Sequence, residues 1–263
     1  MSALIINIIR CPTCAILGKY QQKGWGRTQT SISTIIKIFS SQPYTLILPN
    51  SEEDITGAAE TTNWLSNNLQ PLLPTGVEPN LLNLALAGHR RGGHFSLALS
   101  HAQTAPNFSA LIGVDPVVGT SKTAQTPPQI LTYKPSSFEL GFPAVVIGPG
   151  LGSQKKNFLF PACAPDGVSH NEFYRECQAP CYHFVISDFG HVDMVYDNAP
   201  KIFRCACKNG DGNCRDLMRR SIAGTVVTFL RGCFEDQKGD LRVILADPQS
   251  APAKLDPVSC RGS

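Results

Sequence analysis

The sequence predicts an α/β fold with a mainly parallel sheet, and three observations support that prediction. Short, nearly continuous apolar runs recur along the chain, which is typical of strands covered on both faces in a parallel sheet. Segments with apolar residues near a 3.6-residue period lie between them, which is typical of amphipathic surface helices. The 263 residues, 42% hydrophobic and 16% charged, are enough for one domain with a sizeable core.

Strands and helices are predicted to alternate from Tyr44 onward, while Ile5–Ile9 and Ile35–Phe39 also fit strands. The predicted strands are Tyr44–Leu48, Leu81–Ala87, Leu111–Val114, Ala144–Ile147 and His183–Ile186. The predicted helices run from Glu52 to Leu73, where Pro71 and Pro74 end the first of them, then after Gly93, and over Ser221–Leu230 as a closing helix.

Composition excludes several classes of protein. The net charge is +3 without a cluster of Lys and Arg, so a nucleic-acid-binding protein is not expected. The longest apolar stretches, such as Ala3–Ile9, fall well short of the roughly 18 to 20 residues that span a bilayer. The 22 Gly and 20 Pro have no period, which excludes collagen-like and low-complexity chains. We therefore expect a soluble chain with many tight loops and no membrane span.

The ten cysteines are the unusual count in this composition. Cys11 and Cys14 have the spacing of zinc or redox motifs, and Cys205, Cys207 and Cys214 offer further thiolates. The second C-x-x-C of a zinc module is absent from the sequence. Free thiols together with one disulfide are therefore favoured over a structural zinc or a redox protein, and spacing does not reveal the pairing.

The N-terminal segment, residues 1–40, is basic, because the first acidic residue is Glu52. Ser and Thr concentrate between Thr28 and Ser41, a composition that fits an organelle transit peptide and equally an ordinary basic N-terminus. A secretory signal is disfavoured, since the first apolar run is short and Arg10 interrupts it. The main domain is predicted to be residues 41–263.

The segment from Leu84 to Phe95 has the frame of a nucleophile elbow, with a strand, a Gly-flanked turn and a helix. In that device the pattern G-x-S-x-G places a serine at the top of a strained turn. Here Arg90 occupies the central position. A guanidinium has no oxygen or sulfur to accept an acyl group, so Arg90 cannot be the covalent nucleophile. Taken alone, these residues favour a Gly-rich turn without a catalytic role.

Asp115 and His191 favour a catalytic role for the turn. Hydrolases with this elbow have the chain order nucleophile, acid, histidine, with the last two in loops after strands. Asp115 directly follows a predicted strand and precedes Pro116, which restricts it to an extended or turn conformation. His191 lies just beyond the strand His183–Ile186, where a loop at the sheet end would present it.

The other histidines are weaker candidates for a catalytic role. His89 and His94 lie around the turn, and His101 falls on a predicted helix surface. Metal binding by His183, His191 and Asp193 is a minor alternative for the same loop.

Several motifs follow one another in a characteristic order: Gly88-His-x-Arg-Gly-Gly, Ala110-Leu-Ile-Gly-Val-Asp-Pro-Val, Gln125-Thr-Pro-Pro, Ile130-Leu-Thr-Tyr-Lys-Pro, Cys163-Ala-Pro, Gly190-His-Val-Asp-Met and Pro252-Ala-Lys-Leu-Asp-Pro. Together they resemble the plant chlorophyllase family from about Ser41 to Pro257. The first 40 residues do not match that family pattern. We therefore expect part of the usual N-terminal strands to be missing.

The resemblance implies an α/β-hydrolase fold and hydrolysis of the phytyl ester of chlorophyll to chlorophyllide and phytol. By position, the family's acid falls on Asp115, its histidine on His191 and its nucleophilic serine on Arg90. The first oxyanion-hole donor is expected to be the backbone N–H of Arg91, and the second is unassigned. The resemblance implies no separate cofactor, because magnesium arrives inside chlorophyll.

Arg90 leads us to expect a family member that is inactive or nearly so. Its charge is expected to disfavour an imidazolium at His191, and its fork is able to capture the Asp115 carboxylate in a bidentate pair. The alternative is a non-catalytic protein that holds chlorophyll, chlorophyllide or a phytyl chain. The expected location is the chloroplast, with peripheral contact to pigment-bearing membranes, and the alternatives are the cytoplasm or an endomembrane-associated compartment.

Overall fold

The computed structural model describes residues 3–10, 52–72, 75–76, 78–91, 104–105, 107–195 and 205–262. These residues form the predicted α/β fold, with a mostly parallel sheet and helices on both of its faces. The strands are β1 Ala3–Arg10, β2 Glu78–His89, β3 Ala110–Val114, β4 Gly119–Ser121, β5 Ala124–Gln125, β6 Ala144–Pro149, β7 Cys181–Ile186 and β8 Leu255–Arg261. The helices are α1 Glu52–Asn68, α2 His170–Glu176, α3 Arg215–Phe234 and α4 Gly239–Ala246, with short 3₁₀ turns at Gln70–Leu72, Gly212–Cys214 and Pro248–Ser250.

The described strands make one six-stranded sheet in the order β1-β2-β3-β6-β7-β8, and a separate hairpin of β4 and β5. The four inner strands run parallel, whereas β1 and β8 pair antiparallel at the two edges. The four inner strands are those predicted from the apolar runs, and each of them is longer than predicted. Their carboxyl ends therefore lie along one edge of the sheet, where ligands bind in open α/β sheets.

Side chains alternate between the two faces of the sheet and build a core on each. Ala85, Ala87, Ile112, Ile147 and Phe184 face one core, where α3 and α4 pack through Met218, Phe229 and Ile244. Leu84, Leu86, Leu111 and Val146 face the other, which Phe138 and Phe173 complete, with Ile55 and Ala59 of α1 packed against it. Burial on both faces explains why these strands read as continuous apolar runs.

Three predictions about elements need correction. The helix predicted over Ser221–Leu230 does not close the chain, because α4 and β8 follow it. It is also longer, since it runs from Arg215 to Phe234. The first helix ends at Asn68, and Pro71 lies in the 3₁₀ turn that follows. The edge strand β8 was missed because Pro257 and its partly exposed side chains hide the strand pattern.

Other predictions concern residues that lie outside the ranges that the structure describes, so they stay predictions. These are the strands at Ile35–Phe39 and Tyr44–Leu48, the helix after Gly93, and the side chains of Cys11, Cys14, His94 and His101. None of the helices in the described ranges is long and apolar enough to cross a membrane.

Candidate active site

The predicted site residues lie at the carboxyl ends of three parallel strands. Arg90 directly follows His89, which is the last residue of β2 and pairs with Val114 of β3. Asp115 follows β3 directly and donates its backbone N–H to the carbonyl oxygen of Ile147 on β6, at 2.6 Å. His191 lies in the loop after β7. The sheet register thus brings residues far apart in sequence to one edge.

The turn at Arg90 has the backbone geometry of a nucleophile elbow. Arg90 has φ of 56°, a left-handed conformation that side chains other than Gly seldom adopt. Its N–H donates to the carbonyl oxygen of Val114 at 3.1 Å, and its carbonyl accepts from the N–H of Val117 at 3.2 Å. Each such residue costs about 1 to 3 kcal/mol and persists only where the surroundings hold it. The strained turn is therefore present, with arginine at its apex.

Asp115 and His191 form a buried pair. The distance from His191 Nδ1 to Asp115 Oδ2 is 2.5 Å, and the two side chains are 1% and 0% exposed. A carboxylate only accepts, so the ring donates from Nδ1 and carries its free lone pair on Nε2. His191 Nε2 is buried and has no hydrogen-bond partner among the described residues. This is the orientation that a general base needs.

His89 completes the polar cluster, and the sequence reasoning missed it. Its ring stacks on that of His191, with centroids 5.3 Å apart and an interplanar angle of 27°. Burial, then the neighbouring His191, lower the pKa of His89 to about 3; Asp115 opposes the shift, and Arg90 adds a smaller lowering effect. The ring is neutral at physiological pH. Its place directly before the turn, within the Gly88-His-x-Arg motif, was the available signal.

The Arg90 guanidinium makes no ion pair with any residue of the described ranges. The predicted bidentate pair with Asp115 is therefore wrong, because Asp115 Oδ2 accepts from His191 instead. Burial and the adjacent Arg91 lower the pKa of Arg90, while Asp115 opposes that shift. Arg91 begins the helical conformation after the turn. The role of its N–H as oxyanion donor remains a prediction.

Asp193 fixes the loop that carries His191. It is 0% exposed, and its Oδ2 accepts from the N–H groups of Gly190 and Gly210 at 2.8 and 2.7 Å, while Oδ1 faces Arg215 Nε at 3.2 Å. A Cβ at Gly190 would collide with the carbonyl oxygen of Lys208. The loop is thus packed directly against the segment around residues 208–210. The spacing of this acid from His191 was visible in the sequence, but its partners were not.

A disulfide between Cys163 and Cys207 ties that same segment to the loop after β6. One disulfide with free thiols is the predicted arrangement, and Cys177, Cys181, Cys205 and Cys214 are among the free ones. A zinc site that used Cys207 is wrong, since its sulfur is bonded to Cys163.

Metal binding by His183, His191 and Asp193 is also wrong, because the three side chains have separate partners. His183 Nε2 lies 2.9 Å from His170 Nδ1, while His191 pairs with Asp115, and Asp193 with backbone amides and Arg215. No group of three His, Cys, Asp or Glu in the described part of the chain is arranged to hold a metal.

A cavity of about 380 Å³ lies beyond the ends of β6 and β7, lined by Ser169, His170, Ser187, Lys254 and Asp256 among others. None of the predicted site residues lines it. It is therefore separate from the Asp115–His191 pair.

The site combines a buried acid–histidine pair with a strained strand-to-helix turn, two features that enzymes of acyl transfer also have.

Comparison with known proteins supports the same interpretation. The family model for chlorophyllase matches residues 33–262, and so begins within the segment predicted to be divergent.

Individual relatives cover much of the chain. Chlorophyllase-1 of Arabidopsis thaliana is 42% identical over 270 residues, covering 95% of this chain and 82% of the relative. Chlorophyllase-2 of Arabidopsis thaliana is 46% identical over 78% of this chain and 66% of the relative. A chloroplastic chlorophyllase-1 of Citrus unshiu is 42% identical over 84% of this chain and 67% of the relative. The motif-based resemblance is confirmed, and this chain belongs to the chlorophyllase family.

Proposed function

We propose that this protein holds chlorophyll at a site for hydrolysis of its phytyl ester, and that it is itself inactive or nearly so. One observation carries the proposal. Arg90, which cannot form an acyl intermediate, sits at the strained apex beside the Asp115–His191 pair. The family and the names of its relatives support chlorophyll as the ligand and its ester as the bond addressed.

With serine at position 90, the remaining groups suit a two-step hydrolysis. The hydroxyl attacks the ester carbonyl, His191 Nε2 takes the proton and returns it to the departing phytol, and Asp115 holds the ring. Water then releases chlorophyllide. The backbone N–H of Arg91 is the proposed first donor to the oxyanion.

Without the nucleophile, serine hydrolases lose around 10⁶ in kcat and retain about 10³ to 10⁴ over the reaction in water. The guanidinium adds a second obstacle, because a positive charge near His191 disfavours the imidazolium that forms during attack. Very slow turnover, or none, is therefore expected of the natural sequence. Binding of the pigment without cleavage is the function that remains.

The test is release of chlorophyllide from chlorophyll a by the purified protein, its Arg90→Ser variant and the Arg90→Ser/His191→Ala double variant. We expect no measurable release by the parent, a gain of several orders of magnitude with Arg90→Ser, and loss of that gain in the double variant. Activity of the parent that requires His191 would overturn the proposal. No gain with Arg90→Ser would mean that a group other than the nucleophile, such as one in the N-terminal segment of residues 1–40, also limits the reaction.

We further propose the chloroplast as the location, which the names of two chloroplastic relatives from Citrus support. Peripheral contact with pigment-bearing membranes is proposed for the loop around Phe158, Leu159 and Phe160, which are 90%, 68% and 40% exposed. The Asn157 side chain accepts from the N–H groups of Leu159 and Phe160 at 3.0 and 3.2 Å, so the apolar residues sit on an ordered turn.

Lys155 and Lys156 precede this turn, and a basic and aromatic loop suits an anionic lipid surface. Cosedimentation with vesicles that contain anionic lipid tests the contact. We expect Phe158→Ser with Leu159→Ser to reduce the bound fraction, with Val243→Ser, at an exposed apolar residue of α4, as the control. Equal sedimentation of the loop variant and the parent would contradict the contact.

A further inference from the structure

We propose that Arg90 makes this site a receptor for a carboxylate, so that the protein prefers the free acid, chlorophyllide, to the esters of the same pigment. This inference rests on the proposed function for the identity of the macrocycle. It adds the chemical form of the ligand and names the residue that selects it.

The first step of the argument is the unbalanced charge at the turn. Arg90 and Arg91 place two guanidinium groups side by side, and no acidic side chain of the described residues forms an ion pair with either. Asp115, the acid whose charge reaches Arg90, accepts from His191 through Oδ2, while its Oδ1 is buried without a hydrogen-bond partner among the described residues. Desolvation of Arg90 and repulsion by Arg91 both lower the pKa of Arg90. A half-buried cation without a counterion is stabilised by a bound anion.

The second step is the position of that charge. The backbone turn, with φ of 56° at Arg90, is the device that presents residue 90 to the acyl group of a bound ester. The group that approaches this point is therefore the carbonyl end of the pigment's propionate side chain. In the ester it is neutral, and in the free acid it is a carboxylate at neutral pH.

The third step is the unpartnered nitrogen atoms next to the turn. His191 is 1% exposed, and both His191 Nε2 and His89 Nε2 are buried without a hydrogen-bond partner among the described residues. Asp115 Oδ1 is a third such atom, and both this oxygen and the lone pair on His191 Nε2 accept hydrogen bonds. Buried polar atoms are nearly always paired, so these unpaired atoms beside one cation indicate the place of a polar ligand. A carboxylate offers about four acceptor sites, of which the guanidinium fork is able to take two in parallel and the Nε2–H of a neutral His89 another.

Charge then decides between acid and ester. The fork binds both oxygens of a carboxylate through charge-assisted hydrogen bonds, which are roughly twice as strong as neutral ones. An ester presents one good acceptor and no charge. We expect a preference of at least about tenfold for the free acid, which is a 1.4 kcal/mol difference.

The experiment compares chlorophyllide a with its methyl ester, since these ligands differ by one charge and one methyl group, without the apolar phytyl chain. Dissociation constants are measured by equilibrium dialysis at pH 8 for the parent, Arg90→Gln, Arg90→Lys and the control Arg242→Gln on the exposed surface of α4. We expect the acid preference in the parent and the control, its loss in Arg90→Gln, and an intermediate value in Arg90→Lys, which keeps the charge but not the fork.

Equal binding of acid and ester by the parent, or a preference that survives Arg90→Gln, would overturn the inference while leaving pigment binding intact. If neither ligand binds the parent, the proposed function fails together with the inference. Circular dichroism of Arg90→Gln against the parent separates lost preference from lost folding.

Discussion

Two buried pairs that contain histidine lie on the same sheet and differ in whether a buried hydrogen-bonding atom is left without a partner among the described residues. In the first pair His191 Nδ1 donates to Asp115, and His191 Nε2 has no partner among the described residues. In the second, His170 Nδ1 lies 2.9 Å from His183 Nε2, and His170 also has a backbone hydrogen bond to Pro149. We call the first pair open, because it has an unpaired buried nitrogen, and the second pair closed, because no buried atom of its two rings lacks a partner among the described residues.

The surroundings of the closed pair explain its role. The Tyr174 ring stacks on that of His183 at 4.8 Å, and the Arg261 guanidinium lies 4.6 Å from the Tyr174 ring. A Cβ at Gly148 would collide with the His170 ring. The second pair is therefore packed as part of the core. Burial of histidine alone does not distinguish a structural site from a functional one, whereas an unused buried nitrogen does.

The largest expected effect separates the two pairs by catalysis. In the Arg90→Ser background, Asp115→Asn should lower kcat by about 10⁴, because an amide no longer holds the ring in the tautomer that leaves Nε2 free. In the same background, His183→Leu should leave kcat within a few-fold of its reference. Chlorophyllide release by each purified variant measures this. A loss of kcat in His183→Leu comparable to that in Asp115→Asn, while the protein is still folded, would erase the distinction.

The disulfide provides a second, smaller test. Cys163 and Cys207 are 44 residues apart, and a crosslink of this kind stabilises a fold by about 2 to 4 kcal/mol. Since Cys207 lies on the segment that packs against the His191 loop, reduction should loosen that loop more than the His170–His183 pair. Hydrogen exchange of the two regions, before and after reduction, measures the difference.

Cys205→Ser is the matched control for that test, because Cys205 is an exposed free thiol two residues from the bridge. It should change neither stability nor exchange. Equal protection of the His191 loop in the oxidised and reduced protein would show that the bridge does not support the site.

The smallest effect is a pH dependence that comes from the closed pair. Burial, then His170, lower the pKa of His183 from 6.5 to about 3, and burial also lowers the pKa of His170. Between pH 6.5 and about 3 the unfolded chain binds a proton at His183 that the folded protein does not. Stability therefore rises with pH in that window and is lost as the pH falls, on the order of 1 kcal/mol per pH unit for each such histidine.

Denaturant unfolding at pH 8, 6 and 5 tests this dependence. The variant His183→Leu should be less stable at pH 8 by about 1 to 3 kcal/mol, because it leaves His170 Nδ1 without its partner. Its stability should fall less steeply below pH 6.5. An unchanged slope in the variant would mean that His183 is not neutral in the folded protein.

Most of the sheet was predictable because its inner strands are covered on both faces. The runs at Leu111–Val114, Ala144–Ile147 and His183–Ile186 are apolar at nearly every position, and each is a strand of the described sheet. Strand β8 was not predicted, since only Leu255 of its residues is buried and pairing with β7 decides its conformation.

The residues of the site likewise fall into those that the sequence predicted and those that it did not. Chain order and position after a strand led to Asp115 and His191, and the structure joins them at 2.5 Å. His89 stacked on His191, Asp193 under the loop, and the partner of Cys207 were not predictable, because each depends on segments that only the folded sheet brings together.

The α/β class, the parallel strands, the family and the lack of a nucleophile at Arg90 follow from the amino-acid sequence, because these depend on local pattern and on the chemistry of single side chains. The pairing of Asp115 with His191 rather than Arg90 is visible only in the folded chain, as is the lack of an acidic ion-pair partner for the Arg90 guanidinium among the described residues. The physical reason is competition for one carboxylate, which distance and burial settle and which no spacing along the chain records.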